Sequence, residues 1–168
     1  MKIDEHLNCQ EYANMKLARA NTPLCLVADR FIIAAGGQIS SSSFTKEVEI
    51  YNINENKWFQ GQPLSIPRAN TSMAKFGSRH IFIFNGFQNL YQSTQLNCIE
   101  YLDLVSLDQK TMSATQWVTL TIGNISDIHQ TKPSGSAVLS DYEILIFGGD
   151  LKKTYCIDAR SVLQGQNA

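Results

Sequence analysis

Charge is scarce in this 168-residue sequence: Asp, Glu, Lys and Arg make up 17% of it, where soluble domains carry about a quarter. The 14 basic and 15 acidic residues nearly cancel, leaving a formal net charge of -1, and no short window is mostly basic. Nucleic acids and anionic membrane surfaces are bound through clustered Lys and Arg, so neither is expected as a partner. Long apolar runs are missing as well. Spanning a bilayer takes about 20 apolar residues, and charges such as Arg30, Lys57 and Arg79 interrupt every long hydrophobic stretch. The first ten residues are polar, with Asp4 and Glu5 where a signal peptide needs an apolar core. The expectation is a cytoplasmic protein.

Chemistry-bearing residues are equally thin. Cys9, Cys25, Cys98 and Cys156 lie far apart with no Cys-x-x-Cys pair, and His6, His80 and His129 are scattered. That spacing excludes the usual metal motifs, and the thiols are expected to be small buried hydrophobes in a reducing compartment. There is no Ser-His-Asp context, no phosphate-cradling glycine loop and no carboxylate pair beyond Asp4-Glu5. The expectation is no catalytic residue, no cofactor and no metal, hence not an enzyme.

What the sequence does contain is a repeat. Arg19-Ala20-Asn21-Thr22 returns as Arg68-Ala69-Asn70-Thr71, and the match runs without a gap to Gly36-Gly37 in the first copy and Asn85-Gly86 in the second. A third copy has Thr131 in the Arg place and closes on Gly148-Gly149. Within each copy an apolar run, a two-residue polar turn centred on Asp29-Arg30, Ser78-Arg79 or Ser140-Asp141, and a second apolar run precede the small-residue pair. Near-continuous Ile, Val, Leu and Phe mark a β-hairpin covered on both faces. The glycine pair supplies positive φ for a sharp turn, and Asn85 is the next most tolerant residue.

A third strand follows each hairpin. Glu47-Val48-Glu49-Ile50-Tyr51 alternates polar with apolar, and Trp58 comes seven residues after Tyr51. Cys98-Ile99-Glu100-Tyr101 repeats the theme with Trp117 further on, and 154–158 carries Tyr155 with no later Trp. Strands are expected at 22–28, 31–36, 46–52, 57–60, 71–77, 80–85, 97–104, 116–121, 135–140, 143–148 and 154–158. Asp103 and Asp158, just past their tyrosines, are expected to form turns.

The run from Arg through a hairpin to Gly-Gly, then Tyr, then Trp resembles the kelch repeat, the unit of kelch-type β-propellers. The resemblance covers about 17–158. It implies an all-β fold: a partial kelch-type β-propeller of about three four-stranded antiparallel blades, the last incomplete. The organisation expected is a tail or remnant outer strand at 1–16, blade 1 at 17–65, blade 2 at 66–130 with an insertion in its last turn, and an incomplete blade 3 at 131–168. Arg19, Gly36, Gly37, Tyr51, Trp58, Arg68, Gly86, Tyr101, Trp117, Gly148, Gly149 and Tyr155 are its motif positions, read as architecture. Arg19 and Arg68 are open between inter-blade hydrogen bonding and lining a pocket.

By the same resemblance one mouth of the disc is built from the links after Gly-Gly and the lead-ins to each first strand. Those segments contribute Asn21, Gln38, Ser41, Phe44, Asn70, Phe87, Gln88, Asn89 and Tyr91 as candidate binding residues. Amides, hydroxyls and a few aromatics suit adaptable recognition of a protein or peptide. Kelch domains serve as ubiquitin-ligase substrate receptors and cytoskeletal binders, so an adaptor is the first reading. The alternative is a fragment of an enzymatic or purely structural propeller whose catalytic residues lie in missing blades. Propellers close with four or more units, so further blades from a longer chain or an oligomer are expected to complete the array.

Overall fold

The computed structural model of the chain describes residues 10–86, 98–106, 116–121, 134–148 and 154–160. Eleven strands and one short 3-10 turn, η1 (Leu104–Ser106), are its elements among the described residues. Sheet 1 is the meander β1 (Leu24–Val27), β2 (Phe31–Ala35), β3 (Val48–Asn52) and β4 (Lys57–Gln60). Sheet 2 repeats it with β5 (Ser72–Phe76), β6 (His80–Phe84), β7 (Cys98–Asp103) and β8 (Val118–Thr121). Sheet 3 contains β9 (Ser134–Val138), β10 (Glu143–Gly148) and β11 (Tyr155–Asp158). All neighbouring strands are antiparallel, so the chain is all-β in three antiparallel sheets. No helix among the described residues is long and apolar enough to cross a membrane.

The turns explain why the strands stop where they do. Ala28 and Asp29 both take positive φ (50° and 49°), and Arg30 N–H closes the turn on the Val27 carbonyl at 3.1 Å. The turn is therefore centred one residue before the Asp29-Arg30 pair expected from polarity, because Val27 pairs with Phe31 and leaves three loop residues. Asn52, Asp103 and Asp158 end their strands identically: each side-chain oxygen accepts the N–H two residues on, at 3.1, 3.0 and 2.9 Å. The two aspartates are turn formers, as their position past the tyrosines implies.

Strand pairing also fixes which residues are equivalent. Glu49 pairs with Ala34, Glu100 with Ile83 and Tyr155 with Ile146. Ile50, Tyr101 and Cys156 come next, opposite Ile33, Phe82 and Leu145. The three tyrosines are thus not equivalent. Leu102, opposite Ile81, stands where Tyr51 stands opposite Ile32, and the one-residue offset turns Tyr101 to the other face of its sheet.

Consecutive sheets pack face to face, with sheet 2 in the middle. Ile81 and Ile83 of β6 join Val27, Phe31, Ile33 and Ile50 of sheet 1 in one core, while Phe82 and Phe84 join Ile144 and Ile146 of sheet 3 in another. This is the alternation of a strand covered on both sides. The hairpins of sheets 1 and 3 are covered on one face only, which departs from expectation: Leu24 of β1 is 60% exposed and Phe147 of β10 43%, although β3 of sheet 1 is buried throughout. Cys25 is buried as expected, and burial pushes its thiol pKa up, but Cys156 is exposed, because it lies on the uncovered face of sheet 3. Cys9 and the side chain of Cys98 lie outside the described residues.

The tryptophans, unlike the tyrosines, are equivalent. Trp58 donates its indole N–H to the Ala13 carbonyl at 2.8 Å, and Trp117 donates to the Gln62 carbonyl at 3.0 Å. Ala13 precedes Arg19 by the same interval that separates Gln62 from Arg68. The segment around Tyr12, Met15 and Leu17, for which sequence left a tail and a remnant outer strand open, is not a strand. It occupies against sheet 1 the place that the link after β4 occupies against sheet 2.

Candidate binding site

The lead-ins of the first two repeats meet at one end of the sheets. Asn21 and Asn70 take left-handed φ of 53° and 55°, and Asn70 N–H donates to the Asn21 carbonyl at 3.2 Å. The Asn21 side-chain amide donates to Gln38 Oε1 at 3.1 Å. Gln38 is in turn tied to Ala20 by two main-chain bonds of 2.8 and 2.9 Å. The link that follows folds into a tight loop, with Ile39 N–H donating to the Ser43 carbonyl at 2.9 Å. Asn21, Gln38 and Asn70 are thus brought together, with Ser41 exposed on the loop beside them and Phe44 half-buried at its exit. Phe87, Gln88, Asn89 and Tyr91 lie outside the described residues, as does Gly149.

The glycine pairs hold this geometry. Gly36 and Gly37 have φ of 69° and 114°, Asn85 and Gly86 59° and 105°, the positive values expected from the repeat. A Cβ on Gly37 would stand 2.1 Å from Thr22 Oγ1, and one on Gly86 2.3 Å from Thr71 Cγ2. Gly37 N–H donates to the Arg68 carbonyl at 2.8 Å, so the turn of one repeat carries the lead-in of the next.

Beneath these loops lie two equivalent ion pairs. Arg68 Nη2 donates to Glu100 Oε1 at 2.8 Å with both side chains fully buried. Arg19 pairs with Glu49 in the same way, each 1% exposed. The second carboxylate oxygen accepts the Ser65 N–H at 2.6 Å in one repeat and the Lys16 N–H at 2.7 Å in the other. Arg19 also donates to the Gly36 and Glu47 carbonyls at 2.8 and 2.7 Å, and Arg68 to the Asn85 carbonyl at 3.2 Å. Each arginine is therefore a clamp that holds its own repeat's third strand and glycine turn, and of the two sequence alternatives Arg19 also meets the second by lining a pocket. The glutamates went unrecognised because strand alternation turns such residues to solvent by default. The signal was nonetheless present: Arg and Glu occur together in copies one and two and are absent together in copy three, where Thr131 and Tyr155 stand.

Ala18, Arg19, Ala20, Gln38, Ile39 and Ser40 line an open depression of about 320 Å³ at this end. Its large exposed apolar residue is Ile39, at 44%, where sequence pointed to Phe44, Phe87 and Tyr91, the last two outside the described residues. With the arginines neutralised, what the rim offers a ligand among the described residues is amides, hydroxyls and the aliphatic side chains of Ala18, Ala20 and Ile39. Among the described residues no three of His, Cys, Asp and Glu are grouped to hold a metal ion.

A second cleft, of about 370 Å³, opens between sheets 1 and 2 at the opposite end, floored by Val27, Phe31 and Leu104 and edged by Lys75 and Arg79. Arg79 is bidentate on Asp103 at 3.0 and 2.7 Å, and this hydrogen-bonded guanidinium holds the Asp103 carboxyl below its ordinary range. No protein-family model matches the chain, and no curated protein matches it either.

Proposed function

We propose that this chain is a protein-interaction module of kelch type, a partial β-propeller that binds a protein or peptide in the cytoplasm through the loops at one end of its sheets. The convergence of Asn21, Gln38 and Asn70 beside the exposed Ile39 carries the reading. Two repeats contribute lead-ins to one rim, and main-chain bonds between them hold its polar groups at fixed spacing, which lowers the ordering cost of binding. An exposed aliphatic residue among amides and hydroxyls has the character of a recognition surface. Sites on loops over a rigid scaffold are where binding concentrates. An adaptor role, as a ubiquitin-ligase substrate receptor or a cytoskeletal binder, fits such a rim.

Site-specific photo-crosslinking tests the reading. A crosslinker at Ser41 is expected to capture a defined partner from cell extract, and one at Val105, exposed at the opposite end, is not. Ile39→Asp is expected to abolish the capture with no change in Tm. Equal capture at both positions, or capture indifferent to Ile39→Asp, would overturn it.

A further inference from the structure

The sheets stack in one sense, so each has a forward face toward the next repeat and a backward face toward the previous one. On the forward faces, Ile33 and Ile50 of sheet 1 and Phe82 and Tyr101 of sheet 2 are at most 2% exposed. Leu145 and Cys156 hold the same positions on sheet 3, and there Cys156 is exposed beside Phe147 at 43%. The backward face of sheet 1 is bare over β1, while its β3 side, with Glu49 and Tyr51, is covered by the segment before Arg19, as the link after β4 covers the Glu100 side of sheet 2. Leu24 and Leu26 are 60% and 49% exposed, while Ile81 on the covered backward face of sheet 2 is 0% exposed. The molecule therefore shows both halves of an interface that it already makes twice internally.

Charge says what covers them. Phe31 on the forward side of sheet 1 and Arg79 on the backward side of sheet 2 line one cleft. By strand register Glu143 takes the place of Phe31, and by repeat position Arg30 takes the place of Arg79. Sheet 3 thus presents an acid where sheet 1 presents the matching base. Arg30 is loosely held: its contact with Glu55 is 3.5 Å long and solvent-exposed, and its Nε is buried without a hydrogen bond. Its guanidinium rests 5.0 Å over the Phe31 ring, from which it swings to meet the new partner. Glu143 accepts a hydrogen bond from Ser140 Oγ at 3.1 Å, which leaves carboxylate capacity unused.

We propose that the forward face of sheet 3 docks on the backward face of sheet 1 of a second copy, with Glu143 meeting Arg30 of that copy, and that the two copies close reciprocally. The contact is heterologous, and a two-copy ring closes it twice. It is distinct from the loop rim and does not depend on what the rim binds.

Sedimentation equilibrium of the 168-residue chain tests this. The expected mass is about twice 18.8 kDa at tens of micromolar. Glu143→Arg and Arg30→Glu singly are each expected to weaken association at least about tenfold, since like charges then face each other, and the double reversal is expected to recover wild-type affinity within about threefold. Phe147→Asp, on the exposed face, is expected to give a monomer with an unchanged far-UV circular dichroism spectrum. A wild-type chain that stays monomeric at about a hundred micromolar overturns the proposal. So does a double reversal no tighter than either single variant, and assemblies larger than two copies overturn the reciprocal closure.

Discussion

Arg68 and Glu100 lie 2.8 Å apart with no part of either side chain exposed, and the same carboxylate takes the Ser65 N–H. Removing one partner leaves a buried charge alone, which costs about 3 to 5 kcal/mol. Arg68→Met and Glu100→Gln are each expected to lower unfolding free energy by that amount in urea titrations. The pair replaced together by apolar residues is expected to lose less than either single variant, because no buried charge is then left unpaired.

The two tryptophans make the same hydrogen bond but are not buried alike. Trp117 is 5% exposed and belongs to the core between sheets 1 and 2, so Trp117→Ala is expected to cost about 3 to 5 kcal/mol. Trp58 is half-buried, its ring 5.0 Å from that of Tyr51, and Trp58→Ala is expected to cost about 2 kcal/mol. Reversal of that order by calorimetry would count against the packing described.

Stability should fall on the acid side in two steps. Burial lowers the His80 pKa below 6.5, against the opposing pull of Asp103 and with the help of Arg79. The unfolded chain therefore binds more protons than the folded one once pH drops below about 6.5, and stability declines through that window. Asp103, held below 3.8 first by its hydrogen bond to Arg79, adds a second decline as pH falls below 3.8. His80→Phe, which places there the residue that sheet 1 carries at Phe31, is expected to remove the first step and leave the second, as read by Tm against pH.

Ala28 adopts a left-handed φ of 50° in the turn between β1 and β2, which costs an L-residue about 1 kcal/mol. Its side chain is exposed, so nothing packed is lost on truncation. Ala28→Gly is expected to raise stability by about 0.5 kcal/mol, because relief of strain exceeds the added chain entropy. The readout is the midpoint of denaturant unfolding.

Strand positions were legible because apolar runs and their bounding turns are local signals: β2, expected at 31–36, spans Phe31–Ala35, and β4 spans Lys57–Gln60 at 57–60 as expected. Equivalence between repeats was legible where it rested on backbone geometry, as at Gly37 and Gly86, both at positive φ. It failed where it rested on residue type. Tyr101 resembles Tyr51 in the sequence, yet the link before it is longer and its register differs by one. The Arg–Glu clamps were missed because burial of Glu49 depends on a partner 30 residues away, which no pattern within one strand encodes. Ile39 was passed over because its exposure follows from the Ile39–Ser43 main-chain bond, a loop closure rather than a composition.

The Gly37 N–H that reaches the Arg68 carbonyl couples neighbouring repeats through main chain, and main chain is common to every sequence. Loops on either side can therefore lengthen, shorten or change chemistry while the spacing between repeats stays constant. The offset between Gly37 and Glu49 already differs from that between Gly86 and Glu100, yet both glutamates arrive at the same arginine position. Such a frame separates heritable variation in the loops from the geometry that displays them, so loop chemistry can change without refolding the scaffold.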